Sequence, residues 1–418
     1  MRALAALIAL AATPASAQTI AVIHAEAWTM ESDAPVRDAT IVIADGRIVS
    51  VTAGGDAPGD AIVIDARGKP VTPGLVNGAT QVGLVEVASA EDTRDQASQD
   101  ERNAGFDVSR ALNGNSTLVD LARADGITRA LIYPSPSRTP PFSGEPSIAR
   151  FRDGVDILDR ADVAVYAVIG GGAWDRIGSR AAQWTLLRKA LTDAKRGAGQ
   201  ADGEKKKKDR DGGKPDGRRA GEELIRAVVS GDLPLAIQTH RESDIRQAMQ
   251  LVGDFGIRVI IVGGAEAWRA ADALAAAKVA VVLDPQANLP GTFDQLGVRQ
   301  DNATILARAG VPIALGMVGG PIHLTYNAGL ALREGAGLAV ANGLPYADAL
   351  RAVTVNPLAI WGRGGGMLTP GSDADLVVWD GDPLEPSTNA VTVIIEGRQA
   401  SSRSRQDLLA ERYRNPPQ

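Results

Sequence analysis

Cysteine is absent from all 418 residues. Its absence excludes disulfides, thiolate metal ligands and a cysteine nucleophile. It does not argue against export, because a chain of this length can bury a core without covalent staples. Histidine is nearly as scarce, with only His24, His240 and His323 in the chain. Aromatic residues make up 4%, which leaves little for stacking surfaces. Basic charge is not in excess: 44 Lys and Arg stand against 50 Asp and Glu, for a formal net charge of −6. That balance argues against nucleic acid as a main partner.

Hydrophobic residues, at 44%, are enough for a sizeable core. The length suits one large α/β barrel plus a smaller domain. The first residues have the form of a secretory signal: Arg2, an apolar stretch over 4–12, the breaker Pro14, and the small residues Ala15-Ser16-Ala17. The apolar stretch is too short to span a bilayer. Residues 1–17 are therefore expected to be removed after Ala17, with a soluble product exported, into the periplasm if the cell is Gram-negative. No membrane span is expected later in the chain.

Both ends of the remaining chain are rich in short β runs with turns, over 20–23, 39–43, 47–51 and 61–64, and again over 374–379 and 390–395. Asp45-Gly46 is a strong hairpin signal. Between them, apolar runs of the buried-strand kind (130–133, 163–169, 234–239, 258–262, 279–283, 312–315) alternate with helical patterns (245–255, 268–278, 303–309). This rhythm predicts a parallel barrel. One segment breaks it: 195–221 is glycine-rich and charged around Lys205-Lys206-Lys207-Lys208, and is expected to be a disordered, solvated loop. The competing reading is a contact with an anionic surface or partner, diluted by Asp202, Glu204, Asp209, Asp211 and Asp216.

The run Val71-Thr72-Pro73-Gly74-Leu75-Val76-Asn77-Gly78-Ala79-Thr80-Gln81 resembles the lead-in to the first barrel strand of the amidohydrolase superfamily. Ile43-Ala44-Asp45-Gly46-Arg47-Ile48, Gly371-Ser372-Asp373-Ala374-Asp375-Leu376-Val377 and Ile395-Glu396-Gly397-Arg398 fit the same family's pattern. The run Asp232 to Ile245, with Thr239-His240-Arg241-Glu242 inside it, resembles the imidazolonepropionase-like group. The resemblance implies an α/β fold: a (β/α)8 TIM-like barrel over 71–365, plus a small composite β-sandwich domain from 18–70 and 366–400, then a tail over 401–418. It also implies the class of hydrolases acting on non-peptide carbon–nitrogen bonds, with zinc or another divalent ion in active relatives.

In that family two histidines on strand one, one each on strands five and six, and an aspartate on strand eight hold the metal. Here the first pair of positions holds Ala79 and Gln81. His240 stands on strand five, Gly263 on strand six, and Val318 or Gly319 where the aspartate belongs. Alanine has no donor atom and an amide is a poor zinc ligand. No metal or other cofactor is therefore expected. Asn77, Ala79, Gln81, Arg241, Gly263, Val318, Gly319 and His323 are expected to line the barrel mouth around His240, as a pocket for an unknown small molecule.

His240 is either a hydrogen-bonded strand-end histidine or a neutral general base. Glu266 either points into the mouth as a second catalytic group or caps the helix starting near Trp268. Arg241 either clamps a carboxylate or pairs with Glu242 or Asp244. Gly170-Gly171-Gly172 either offers backbone N–H groups to an anion or makes a tight turn. Asp284-Pro285 reads as a turn former. Three functions stay in play: a degenerate amidohydrolase, a periplasmic ligand-binding or scaffold pseudoenzyme, and a metal-independent hydrolase with His240 as base.

Overall fold

The computed structural model describes residues 19–87, 89–96, 103–136, 141–171, 177–198, 217–318, 327–401 and 403–414. The chain starts with β1 (Ile20–Ala27), β2 (Val36–Ala44), β3 (Arg47–Ala53), β4 (Ile62–Asp65) and β5 (Pro70–Pro73). Asp45 and Gly46 both take positive φ, 52° and 72°, which matches the hairpin twist between β2 and β3.

The barrel region follows. It opens with β6 (Leu75–Thr80), α1 (Thr117–Ala124) and β7 (Ile127–Ile132). Short strands β8 (Phe142–Gly144), β9 (Ser147–Arg150) and β10 (Leu158–Arg160) precede β11 (Val165–Val168). Helices α2 (Arg180–Ala198) and α3 (Gly217–Ser230) then lead to β12 (Leu235–Thr239), α4 (Glu242–Phe255) and β13 (Val259–Gly263). Next come α5 (Ala271–Ala276), β14 (Ala280–Leu283), α6 (Asn302–Arg308) and β15 (Ile313–Leu315). Helices α7 (Ala328–Ala341), α8 (Tyr346–Ala352) and α9 (Val355–Ile360) close the region. The chain returns to β structure with β16 (Leu376–Trp379), β17 (Ala390–Ile395) and β18 (Arg398–Gln399), and α10 (Arg405–Arg414) follows. Among the described residues no helix is long and apolar enough to cross a membrane.

The strands from the two ends share one eight-stranded sheet, ordered β18-β17-β16-β5-β1-β2-β3 with β4 on β1. It has its own core, including Val22, Ile41, Ile43, Ile48, Leu376 and Ile394. The turn at 45–46 meets the turn at 396–397: a Cβ on Gly397 would come within 2.7 Å of the Gly46 Cα. Glycine at both turns permits that approach.

Parallel pairing runs β11-β12-β13-β14-β15 on one side and β6-β7 on the other. The amide of Met317 donates to Ala79 O at 2.7 Å, tying the end of β15 to the end of β6. On the opposite side the expectation of an all-parallel barrel needs correction. β9 runs antiparallel to β7, and β8 runs antiparallel to β11. The ladders among the described residues therefore form two open sheets, not one closed ring. The stretch between β7 and β8 is too short for a parallel crossover, which takes roughly a dozen residues or more. Pro146 then interrupts the returning segment between β8 and β9, because proline cannot donate to a ladder.

Side chains alternate between two buried environments along the barrel strands. Ala79, Tyr166, Ala236, Ile260, Val282 and Ala314 form an inner cluster, while Val165, Leu235, Ile237, Ile261, Val281 and Ile313 pack outward against the helices. Burial on both faces explains the nearly continuous apolar runs in the sequence.

The charged stretch over 195–221 also differs from expectation at its edges. Residues 195–198 complete α2, and 217–221 begin α3. Lys195 Nζ lies 5.5 Å from the centre of the Phe255 ring and donates to Asp254 O at 3.3 Å. Residues 199–216 lie outside the described residues, as do the expected signal segment and the tail's last four residues.

Candidate functional site

Barrel chemistry sits at the C-terminal ends of the strands. The inner face of β12 presents Ala236, Gln238 and then His240, just past the strand end. Gln238 Oε1 accepts from the Tyr166 hydroxyl at 3.1 Å, and Tyr166 stacks on Tyr133 with ring centres 5.4 Å apart. These two tyrosines are almost wholly buried. Burial pushes both hydroxyls above the ordinary range, with the negative charge of Asp284 adding to the effect on Tyr133. They therefore stay neutral and act as walls and hydrogen-bonding groups.

His240 lies against Gly263, which has φ +94°; a Cβ there would come within 2.6 Å of the imidazole Cε1. Burial holds the His240 pKa below its ordinary value, partly opposed by the charge of Asp294. The ring is thus neutral near pH 7. Its Nδ1 is buried with no hydrogen-bond partner among the described residues. The His240 residue lines a cavity of about 30 Å³, together with Gly263, Asp284, Gln295, Asn302 and Val318. That volume suits water rather than a larger molecule.

The first-strand residues sit at the same end. Ala79 is fully buried in the inner cluster, with Val318 packed against that cluster. Gln81 is also buried; its amide donates to Ser135 Oγ at 2.7 Å and to Tyr133 O at 3.3 Å. Asn77 Oδ1 accepts from the amides of Ala79 at 3.2 Å and Met317 at 3.3 Å, which locks β6 to the end of β15.

Glu266 is tied to His240 through its backbone, its amide donating to His240 O at 2.9 Å. Its Oε2 accepts from the Glu242 amide at 2.9 Å, so it caps the first turn of α4 and not the helix that follows it. Arg241 pairs with neither Glu242 nor Asp244. Its Nε lies 3.2 Å from Asp294 Oδ1. Gly319 and His323 lie outside the described residues. His24 is far from this chemistry in β1, exposed, with Nδ1 2.9 Å from Asp38 Oδ1.

The sequence reading left Tyr133, Tyr166, Arg180 and Asp294 out of the site. No local pattern marks them. Asp294 and Arg180 stand more than a hundred positions apart, and only the fold brings them together.

The sequence profile of the amidohydrolase family matches residues 233–400. The whole described fold superposes on an amidohydrolase from Thermotoga maritima MSB8 with a TM-score of 0.82 and 24% identity, covering 92% of this chain and 100% of that one. Residues 233–400 thus carry the amidohydrolase family's sequence pattern, and the fold is that of an amidohydrolase structure.

Other solved structures share the architecture. An enamidase structure aligns with a TM-score of 0.51 and 18% identity, over 93% of this chain and 97% of that one. A prolidase complexed with N-methylphosphonate-L-proline aligns at 0.54 and 18%, over 92% and 100%. Among curated proteins, amidohydrolase tasK of Hapsidospora irregularis is 47% identical over 57 residues, 13% of this chain. The chain spans only 6% of that relative's length. These neighbours support a TIM-barrel-like α/β fold, here with the antiparallel segment described above.

The superfamily's metal can be tested against the side chains present. Ala79 offers a methyl, Gln81 an amide already bonded, Gly263 no side chain and Val318 an isopropyl group. His240 alone supplies a nitrogen. Among the described residues no three His, Asp or Glu side chains gather as a metal-binding group. A zinc site takes three or four protein ligands. The described residues do not fit that ion.

Proposed function

We propose that this protein is a superfamily member of the class that hydrolyses non-peptide carbon–nitrogen bonds, that its metal centre has been lost, and that its barrel mouth is kept as a pocket for a small polar molecule. One observation carries this reading: where the resemblance puts metal ligands stand Ala79, buried in the inner cluster, Gln81, bonded to Ser135 and Tyr133, and Gly263, against the His240 ring. Gln81 holds the loop after β7, and Gly263 makes room for the His240 ring. The run 232–245 supports a place in the imidazolonepropionase-like group, and residues 1–17 support export. A purely scaffolding role would leave the pocket without a ligand.

Elemental analysis of the mature protein, purified without a metal-binding tag, tests the reading. Zinc, manganese and iron should be far below one per chain, and His240→Ala should not change them, because one imidazole cannot compete with water and buffer for these ions. Stoichiometric metal that disappears in His240→Ala would overturn the reading.

A second reading draws on the neutral, unpartnered Nδ1 of His240: metal-independent hydrolysis with this imidazole as general base. Such activity would persist in chelator and vanish in His240→Gln. It would rise with pH through a value below the usual histidine range, following the direction of the shift.

A further inference from the structure

The segment 286–300, after β14, crosses the mouth beside His240 and supplies Ala287, Gln295, Val298, Arg299 and Gln300 to the cavity wall. Its apolar side chains do little to hold it down: Leu289, Phe293 and Leu296 are 76%, 81% and 64% exposed. Polar contacts fasten it instead. Trp268 Nε1 donates to Gly297 O at 2.8 Å, and Asp294 anchors the centre.

The Asp294 carboxylate lies in a cradle built by other elements. The Gly171 amide donates to Oδ2 at 2.6 Å, Arg180 Nη2 donates to Oδ1, and Arg241 Nε lies 3.2 Å from Oδ1. A Cβ on Gly170 would come within 2.7 Å of the carboxylate, so glycine there is what admits it. The cradle is braced from behind. Buried Asp244 accepts from Arg180 Nε at 2.9 Å and from Trp184 Nε1 at 2.9 Å. Buried Gln183 donates to Gly170 O at 3.2 Å and accepts from its amide at 2.8 Å. Two guanidinium groups and a backbone N–H around one carboxylate, at the strand ends of a barrel, make an anion receptor.

We propose that this cradle is a carboxylate-binding subsite of the mouth, filled here by Asp294 as an internal stand-in, and that a small-molecule carboxylate displaces Asp294 and lifts the 286–300 strap from His240. The subsite names the ligand class of the pocket proposed above and rests on that reading. Displacement exchanges one carboxylate for another, so the two arginines keep a counterion throughout. The strap must move, because the closed cavity has room for little beyond water. A ligand shifts the strap only as far as it prefers the open state.

Acetate is the probe, with chloride at equal ionic strength as control. Asp294→Ala should bind acetate at least about tenfold more tightly than the parent protein by calorimetry. Acetate, and not chloride, should restore part of the melting temperature lost in that variant. Adding Arg241→Ala should abolish both effects. If Asp294→Ala fails to fold, Asp294→Asn carries the test: loss of the charged latch should speed diethyl pyrocarbonate labelling of His240, read by peptide mass mapping. Equal acetate affinity in variant and parent, or unchanged His240 labelling in Asp294→Asn, overturns the proposal. Metal content measured on the same samples judges the pseudoenzyme reading separately. Metal-free protein that ignores acetate sinks the cradle alone, whereas stoichiometric metal sinks the wider reading whatever acetate does.

Discussion

At the scale of single residues, Gly263 and His240 act as a pair. The positive φ of Gly263 disfavours any residue with a side chain, and a methyl there would press on the imidazole. Gly263→Ala should therefore cost about 1–3 kcal/mol in urea denaturation, from backbone strain and overpacking together. The same substitution should displace the His240 ring and change its labelling by diethyl pyrocarbonate. A neutral stability change and unchanged labelling would show that the ring has space the geometry denies it.

At the scale of elements, the returning segment β8–β9 is the least expected part of the barrel, and Glu145 marks its kink. Glu145 is buried, its amide donates to Phe106 O at 2.8 Å, and Asp162 and Asp107 lie close enough to repel its charge. Burial first, and then the hydrogen bond with Asp162, push its pKa up to about 8. A carboxyl group whose folded value is raised binds a proton more tightly in the folded state than in the unfolded one. Its contribution to stability is present in full below the unfolded value of about 4.3 and is lost as pH rises through the folded one. The protein should thus lose stability between pH 5 and about 9 through this group. Glu145→Gln should flatten that decline in denaturant midpoints measured across the range. An unchanged slope would place the Glu145 carboxyl in water.

At the scale of the molecule, a buried charge network joins the barrel to the sheet drawn from both ends. Arg129 on β7 and Arg150 on β9 reach Asp375 Oδ2 at 2.8 Å and 3.3 Å. Both also meet Asp373, and Arg363 bridges Asp373 and Asp159 at 3.0 Å each. The contacts to Asp375 Oδ2 are ion-pair approaches without aligned hydrogen bonds. Burial raises the Asp375 pKa to about 6, with Arg150 opposing the shift. Removing one cation would leave the buried carboxylates with too little positive charge around them. Arg129→Met should cost about 3–5 kcal/mol in chemical denaturation. A loss under about 1 kcal/mol would mean that water reaches the network.

Much of this protein is determined within short windows of its sequence. The strand-turn phrases at 43–48, 371–377 and 395–398, and the run at 71–81, carry the resemblance to the amidohydrolase superfamily, because each encodes a local backbone path. Two-sided burial writes barrel strands as apolar runs, so β11 to β15 were legible one by one. The identities of Ala79, Gln81 and Gly263 were enough to question a metal centre before any geometry was known. Tertiary structure decided the rest. The direction of 142–150 depends on a connection too short to cross over and on a proline within the segment, and no window shows which neighbours such a segment will meet. Arg241 had a ligand carboxylate, Glu242 or Asp244 open to it in the sequence pattern and in the fold takes Asp294, a residue from another strand's loop. Gly171 was readable as an anion site or a turn, and in the fold its amide donates to the Asp294 carboxylate. Electrostatic partners are chosen by proximity in space, and proximity between residues more than a hundred positions apart is a property of the packed chain alone.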